Sequence, residues 1–315
     1  MTVAAENRES VVAVTGEFAT VSDYFALLKP RVMSLVVFTA VVGLALAPGH
    51  IPIATAVTAL LCIAVGAGAS GALNMAYDAD IDSCMSRTLG RPIPQGHLTA
   101  STATGFGVTM AIGAVTVMGL LVNPVSAALL AFTIAFYVLV YTLWLKRRTP
   151  QNIVIGGLAG ALPPAIGWSA VTGSLAVPPL VLVAIIFLWT PAHFWALSLY
   201  RTSDYVRARI PMLPVVAGKT KTRRQIVIYT ILTVTAGFAP VLLGFAGPLY
   251  LAVNVALGTW FLVQSLRVAR ECDSEREPQA RRLFGISILY LFVVFAAVLA
   301  EQVSGITPLQ PLIAG

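Results

Sequence analysis

The chain has 315 residues, of which 58% are hydrophobic and only 10% charged, with a formal net charge of +7. A soluble domain with so few charges could not cover its surface, so the composition excludes a water-soluble globular protein and predicts an all-α polytopic membrane protein. The positive balance calls for no nucleic acid, because basic loops on one side of a membrane account for it.

The chain opens on a polar stretch, residues 1–22, with three Glu, a single Arg and no apolar core. It is neither a signal peptide nor a transit peptide, and is expected to be a mobile tail. Nine apolar runs long enough to cross a bilayer follow, near 32–48, 52–73, 102–122, 125–145, 153–172, 178–199, 226–246, 248–266 and 283–302. They predict a membrane domain over 23–303, closed by a short tail, 304–315. With nine spans all 20 Lys and Arg fall on one side, which makes that side and the N-terminus cytoplasmic, the C-terminus outer, and the expected location the cell membrane. Cys62, Cys84 and Cys272 show no paired spacing. Small residues crowd span two (Gly66, Gly68, Gly71) and span five (Gly156, Gly157, Gly160), as close helix packing in lipid requires. Pro163-Pro164 must break span five, which predicts an internal pocket there.

The polar chemistry gathers after spans two and six. Asn74-x3-Asp78-x3-Asp82 places three side chains on one helical face, where their oxygens can converge on a hard cation such as Mg²⁺. Asp80 points about 200° from Asp78 and stands outside that ladder. The bland alternative, acids that solvate a helix end, fits Asn74 poorly, since it lies at membrane depth where polar groups are costly. The loop after span six carries Tyr200-Arg201-Thr-Ser-Asp204, and aligning the two loops sets Asp82 against Asp204 and Asp78 against Tyr200. Two acidic regions on one side, with Arg87, Arg91, Lys146 and Arg201 nearby, suit a phosphorylated substrate. Topology alone would also place bases there, and Arg147, Arg148 and the 219–224 cluster read as plain inner-face charges. Of three histidines, His50 reads as structural and His97 as a loop residue; His193, inside span six beside a proline, is either a satisfied core residue or a pocket group facing a polar or metal-containing substrate. No P-loop or dinucleotide fingerprint is present. A secondary transporter is the alternative from another class, but it should carry its binding groups near the bilayer midplane rather than at one edge.

On these residues the chain resembles the UbiA-type intramembrane prenyltransferases, whose hallmark is the N-x3-D-x3-D ladder, and within them the branch that farnesylates haem. The resemblance is carried by 28–31, 74–91, 141–168, 188–197, 200–205 and 211–214. It departs at Ala192, where a second proline is expected, and at Tyr200, which replaces an aspartate of the members that prenylate aromatic acids. The second departure argues against a hydroxybenzoate-type acceptor, although another aromatic or lipid acceptor remains the alternative within the family. The resemblance implies a nine-helix bundle around a central cavity open to the cytoplasm. It further implies transfer of a farnesyl group from farnesyl diphosphate to a vinyl group of haem b, with addition of water, giving haem O and pyrophosphate. Asn74, Asp78, Asp82 and Asp204 would hold Mg²⁺; Arg87, Arg91, Lys146 and Arg201 would bind the diphosphate. Asp78, Asp82, Tyr200 and Asp204 would be catalytic, with Tyr200 orienting diphosphate or water, and His193 is the candidate haem contact. The partners so implied are the two substrates and the bilayer; a protein that delivers haem or converts the product to haem A is left open.

Overall fold

The computed structural model describes residues 19–274 and 276–311. Among them there is no strand, and the chain runs as α1 (Val21–Leu27), α2 (Pro30–Leu46), α3 (Ile53–Tyr77), the turn α4 (Ala79–Asp82), α5 (Ala100–Leu121) and α6 (Pro124–Ala135). It continues as α7 (Asn152–Ala161), α8 (Pro163–Thr172), α9 (Val177–Leu199), α10 (Thr202–Arg207), α11 (Leu213–Val216), α12 (Gly218–Ala236), α13 (Ala239–Leu242), α14 (Pro248–Ala269) and α15 (Pro278–Ser304). Eight of the helices or joined pairs are long and apolar enough to cross a membrane, and nine if the bent pair α1 and α2 counts as one. Most of the predicted tail lies outside the described residues, but Val21 already begins α1, where Thr20 and Asp23 form a reciprocal cap. At the other end Ser304 is still helical, Leu309 donates its amide to the Ala246 carbonyl, and 312–315 lie outside the described residues.

Local chemistry explains the breaks. Lys29 has φ 51° between α1 and α2, which meet at 52°. The following Pro30 disfavours a right-handed helical conformation at Lys29, so the first helix must end and turn there. Glu277 repeats the device before Pro278, with φ 39°. Span four is continuous in position but not in winding: Phe136–Leu145 is π-helical, a form that clusters at functional sites. Several helix ends depart from the hydropathy boundaries, and α15 begins five residues early, at Pro278. α3 runs on to Tyr77, so Asn74 is helical, and α12 begins at Gly218, so the basic 219–224 cluster lies on a helix.

The largest core lies between α9, α12, α14 and α15, around Trp195, Tyr250, Phe261, Tyr290 and Phe295. A second joins α3, α5 and α6 around Ile63, Met118 and Leu130. Glu301 is buried at the end of α15 and accepts the Gly247 and Tyr250 amides, satisfying the open N-terminus of α14. The glycines do serve packing: a Cβ at Gly156 would meet the Tyr141 ring at 2.2 Å, and one at Gly66 would meet Leu130 at 2.9 Å. Gly160 alone of that group faces open space.

Pro163 and Pro164 divide span five into α7 and α8, as expected. Both are buried, and the Pro164 carbonyl lies against Gly43 of α2, so α2 covers this side of the break.

Candidate active site

Alternating helix directions bring the loops after α3, span four, α9 and α14 to one end of the bundle, and every described Lys and Arg is at that end. The acidic ladder is built there. Asn74 is the last-turn residue of α3; Asp78 caps that helix and Asp82 ends α4, its amide bonded to the Asp78 carbonyl. The Asn74 amide donates to Asp78 Oδ2 at 2.6 Å and to Thr142 Oγ1 at 3.3 Å. All three ladder residues are buried, Asp78 completely.

Each carboxylate is met by a cation. Lys146, which follows the π-helical turn, binds Asp78; Arg147 Nη2 is 3.7 Å from Asp78 Oδ1; Arg91 Nη1 donates to Asp82 Oδ2 at 2.6 Å. Lys29, an inner-face base within the 28–31 segment and no predicted site residue, donates from Nζ to Asn74 Oδ1 at 2.8 Å. Its left-handed backbone at the α1–α2 bend turns it onto the ladder from 45 residues away in sequence. The only signal for it was Lys-Pro at the start of a span. Arg147 is another correction. It bridges Asp80 through both terminal nitrogens, at 2.8 and 2.7 Å, and lies over the Tyr77 ring, so it is part of the site's ion network rather than a plain inner-face charge.

Asp80 itself is off the ladder, with a side chain 64% exposed and held below the usual carboxylate range by its Arg147 hydrogen bonds. Asp80→Asn is therefore expected to change turnover by less than about fivefold, since an exposed ion pair is worth at most about 1 kcal/mol. Steady-state rates in membranes with matched protein levels check this, and a severe loss would move Asp80 into the reacting centre.

The second acidic region reaches the first through Ser86. Its hydroxyl donates to Asp204 at 2.9 Å, and Asp204 is also bound by Arg207 and lies 3.8 Å from Arg201. Burial pushes the Asp204 carboxyl up, but the Ser86 and Arg207 hydrogen bonds outweigh it and leave the group below its ordinary value. Arg87 lies within electrostatic reach of Tyr141, Tyr200 and Tyr205, and has no ion pair among the described residues. Tyr200 sits under Arg201 and Arg281, with guanidinium-to-ring distances of 6.0 and 4.9 Å.

His193 stands apart, deeper in α9. Its ring is stacked between Trp189 (4.2 Å) and Phe284 (4.4 Å), and Nδ1 is 2.7 Å from Ser287 Oγ. The Ser287 hydroxyl also lies against the Phe284 carbonyl, 2.7 Å away, which ties the imidazole to the backbone of α15. His97 is held by Asp23 at 3.0 Å, and His50 lines a small cavity at the opposite end of the bundle.

The donors fit a hard divalent cation in kind, being oxygen throughout, and Asp78 Oδ1 is buried with no hydrogen-bond partner. They are not gathered on one point: among the described residues no three His, Cys, Asp or Glu side chains share a metal position. Each carboxylate is instead paired with a protein cation.

Residues 36–301 match the UbiA prenyltransferase family. The chain belongs to that family. Among its relatives, a protoheme IX farnesyltransferase of Parvibaculum lavamentivorans is 57% identical over 306 residues, covering 97% of this chain and 96% of the relative. One from Bradyrhizobium diazoefficiens is 58% identical over 286 residues, covering 90% and 91%. The fold is shared with a digeranylgeranylglyceryl phosphate synthase, at TM-score 0.74 and 16% identity, covering 90% of this chain and 98% of that one. A UbiA homologue from Archaeoglobus fulgidus bound to DMAPP and Mg²⁺ gives TM-score 0.64 at 16% identity, covering 88% and 99%. The chain is thus a multi-pass membrane prenyltransferase of the expected all-α class.

Proposed function

We propose that this prenyltransferase moves the farnesyl group of farnesyl diphosphate to a vinyl group of haem b, with addition of water, to give haem O and pyrophosphate. The observation that carries the reaction class is the meeting of two acidic loops, Asn74–Asp82 and the one at Asp204, through Ser86 and inside a ring of bases. The acceptor is inferred from near-full-length relatives named protoheme IX farnesyltransferase.

In this reading Asn74, Asp78, Asp82 and Asp204 would hold Mg²⁺, drawn together once the diphosphate takes over their basic partners. The bound metal would neutralise the diphosphate and so ease departure of the leaving group. The chain's own residues do the rest. Arg87, which has no carboxylate partner among the described residues, is the first to engage diphosphate oxygens; Arg91, Lys146 and Arg201 share theirs as charge develops on the departing group. Lys29 orients Asn74, and Tyr200 orients the diphosphate or the water. The farnesyl tail lies among apolar side chains, which keep water from the allylic cation until the vinyl carbon attacks it. Water then adds to the porphyrin-side cation and loses a proton. His193, held by Ser287, contacts the haem. The basic end faces the cytoplasm of the cell membrane, as the placement of positive charge favours.

The test is to supply membranes containing the protein with haem b, farnesyl diphosphate and Mg²⁺ and to read extracted haems by mass spectrometry. A haem gaining farnesyl plus the elements of water, lost on adding EDTA, is expected. Consumption of farnesyl diphosphate with haem b unchanged would replace the acceptor, and no consumption of either would overturn the reading.

A further inference from the structure

An aromatic row links His193 to the basic end of the bundle and belongs to neither acidic loop's ion network. From the membrane interior outward it runs Trp189, His193, Phe284 and Tyr200, with successive ring centroids 4.2, 4.4 and 6.2 Å apart. It ends on Arg281, whose guanidinium lies 4.9 Å over the Tyr200 ring. α15 supplies three members of this arrangement at steps of three residues: Ser287, which holds His193, then Phe284, then Arg281.

Arg281 differs from its neighbours. Arg91, Lys146, Arg147, Arg201 and Arg207 each face an aspartate, and Lys219 and Arg223 share Glu277. Arg281 is exposed and donates from Nε to the Arg276 carbonyl at 2.9 Å, and its terminal nitrogens have no carboxylate among the described residues. A guanidinium anchored at Nε and laid on an aromatic face presents its terminal fork already oriented, which suits bidentate capture of a carboxylate. Six residues of helix separate Arg281 from Ser287, an axial rise of roughly 9 Å. That is comparable with the reach from a haem iron to its own propionate groups.

We propose that Arg281 is a specificity residue for the acceptor, binding a propionate carboxylate of the porphyrin whose macrocycle lies along the His193–Phe284–Tyr200 row. This rests on the haem reading above. It adds what that reading lacks, a group that distinguishes an acidic porphyrin from a neutral aromatic or lipid acceptor.

The experiment compares haem b with its dimethyl ester, in binding titrations and in turnover. Wild-type protein is expected to bind the acid about tenfold more tightly than the diester, as one charge-assisted contact would give. Arg281→Gln should raise KM for haem b by about the same factor, leave KM for farnesyl diphosphate within about twofold, and bind acid and diester alike. Arg281→Lys should recover part of the loss. A wild type indifferent to esterification overturns the proposal without any variant. So does a rise confined to farnesyl diphosphate, which would assign Arg281 to the diphosphate, or an equal loss for acid and diester, which would make its role structural. A wild type that neither binds nor farnesylates haem overturns the haem reading itself, and the proposal falls with it. Haem bound and consumed with no dependence on Arg281 overturns the proposal alone.

Discussion

Asp78→Asn is expected to lower prenyl transfer by about 10²-fold or more while the protein still inserts and accumulates. The side chain is wholly buried, and its two oxygens serve different partners: Oδ2 accepts from Asn74 and Lys146, and Oδ1 is open apart from Arg147 at 3.7 Å. An asparagine of the same shape keeps span hydrophobicity and the α3 cap, so topology has no reason to change. It removes the charge that holds Lys146 in place and would face a cation. One rotamer also turns its NH₂ toward the donors of Asn74 and Lys146. Lys146 is not sealed in, with a side chain 17% exposed, so it can relax toward water and the fold survives the loss better than the chemistry does. The measurement is haem O formed per molecule of membrane-inserted protein, with insertion checked by the same topology reporter as wild type. Turnover close to wild type would remove Asp78 from the reacting centre. If the protein is absent from the membrane, the carboxylate is structural instead. The neighbouring Asp80→Asn is the internal control, because it changes the same charge two residues away on an exposed, off-ladder side chain.

That contrast between two aspartates was legible before any coordinates, because it depends only on helical phase. So was a count of eight to nine spans, since apolar runs of bilayer length separated by basic loops mark them, with α1 and α2 deciding the ninth. What was not legible was chiefly long-range pairing. Lys29 reaches Asn74 only because Lys29-Pro30 folds the first span back on itself, and nothing near Lys29 names its partner. Arg147 and Arg223 resemble ordinary inner-face charges in sequence. One bridges Asp78 and Asp80, and the other is nearly sealed against Glu277 and Asp273. Burial pushes the Glu277 carboxyl up, but Lys219 and Arg223 outweigh it and hold it low, as a folded ion cluster does. The π-helical winding of 136–145 had no signal either, because its residues satisfy the hydropathy of any span. Yet that winding sets Thr142 and Lys146 against the ladder. Hydropathy fixes which residues are in the membrane, and the partners of its few polar groups are fixed by packing.

Packing is tested most sharply at Gly167, where substitution by valine is expected to prevent a stable bundle. α2 and α8 touch backbone to backbone: a Cβ on Gly167 would lie 2.1 Å from the Ala40 carbonyl oxygen, and one on Gly43 would lie 2.0 Å from that of Pro164. Neither obstacle is a side chain, so no rotamer change relieves it and the helices must move apart. Separation forfeits close van der Waals contact along the whole crossing, which is the main attraction between helices in lipid, and overpacking of this kind costs about 3 kcal/mol or more. The damage would reach the site as well, because α2 begins beside Lys29 and a displaced α2 carries Lys29 Nζ away from Asn74. Thermal unfolding in detergent, followed as loss of the monodisperse peak, should show Gly167→Val lowered far below wild type or absent. Gly160→Ala is the matched control in the same span: nothing lies within 4 Å of its added Cβ, and replacing glycine inside a helix should leave stability unchanged or raise it by up to about 1 kcal/mol. Equal behaviour of the two variants would mean that α2 and α8 do not cross at these glycines.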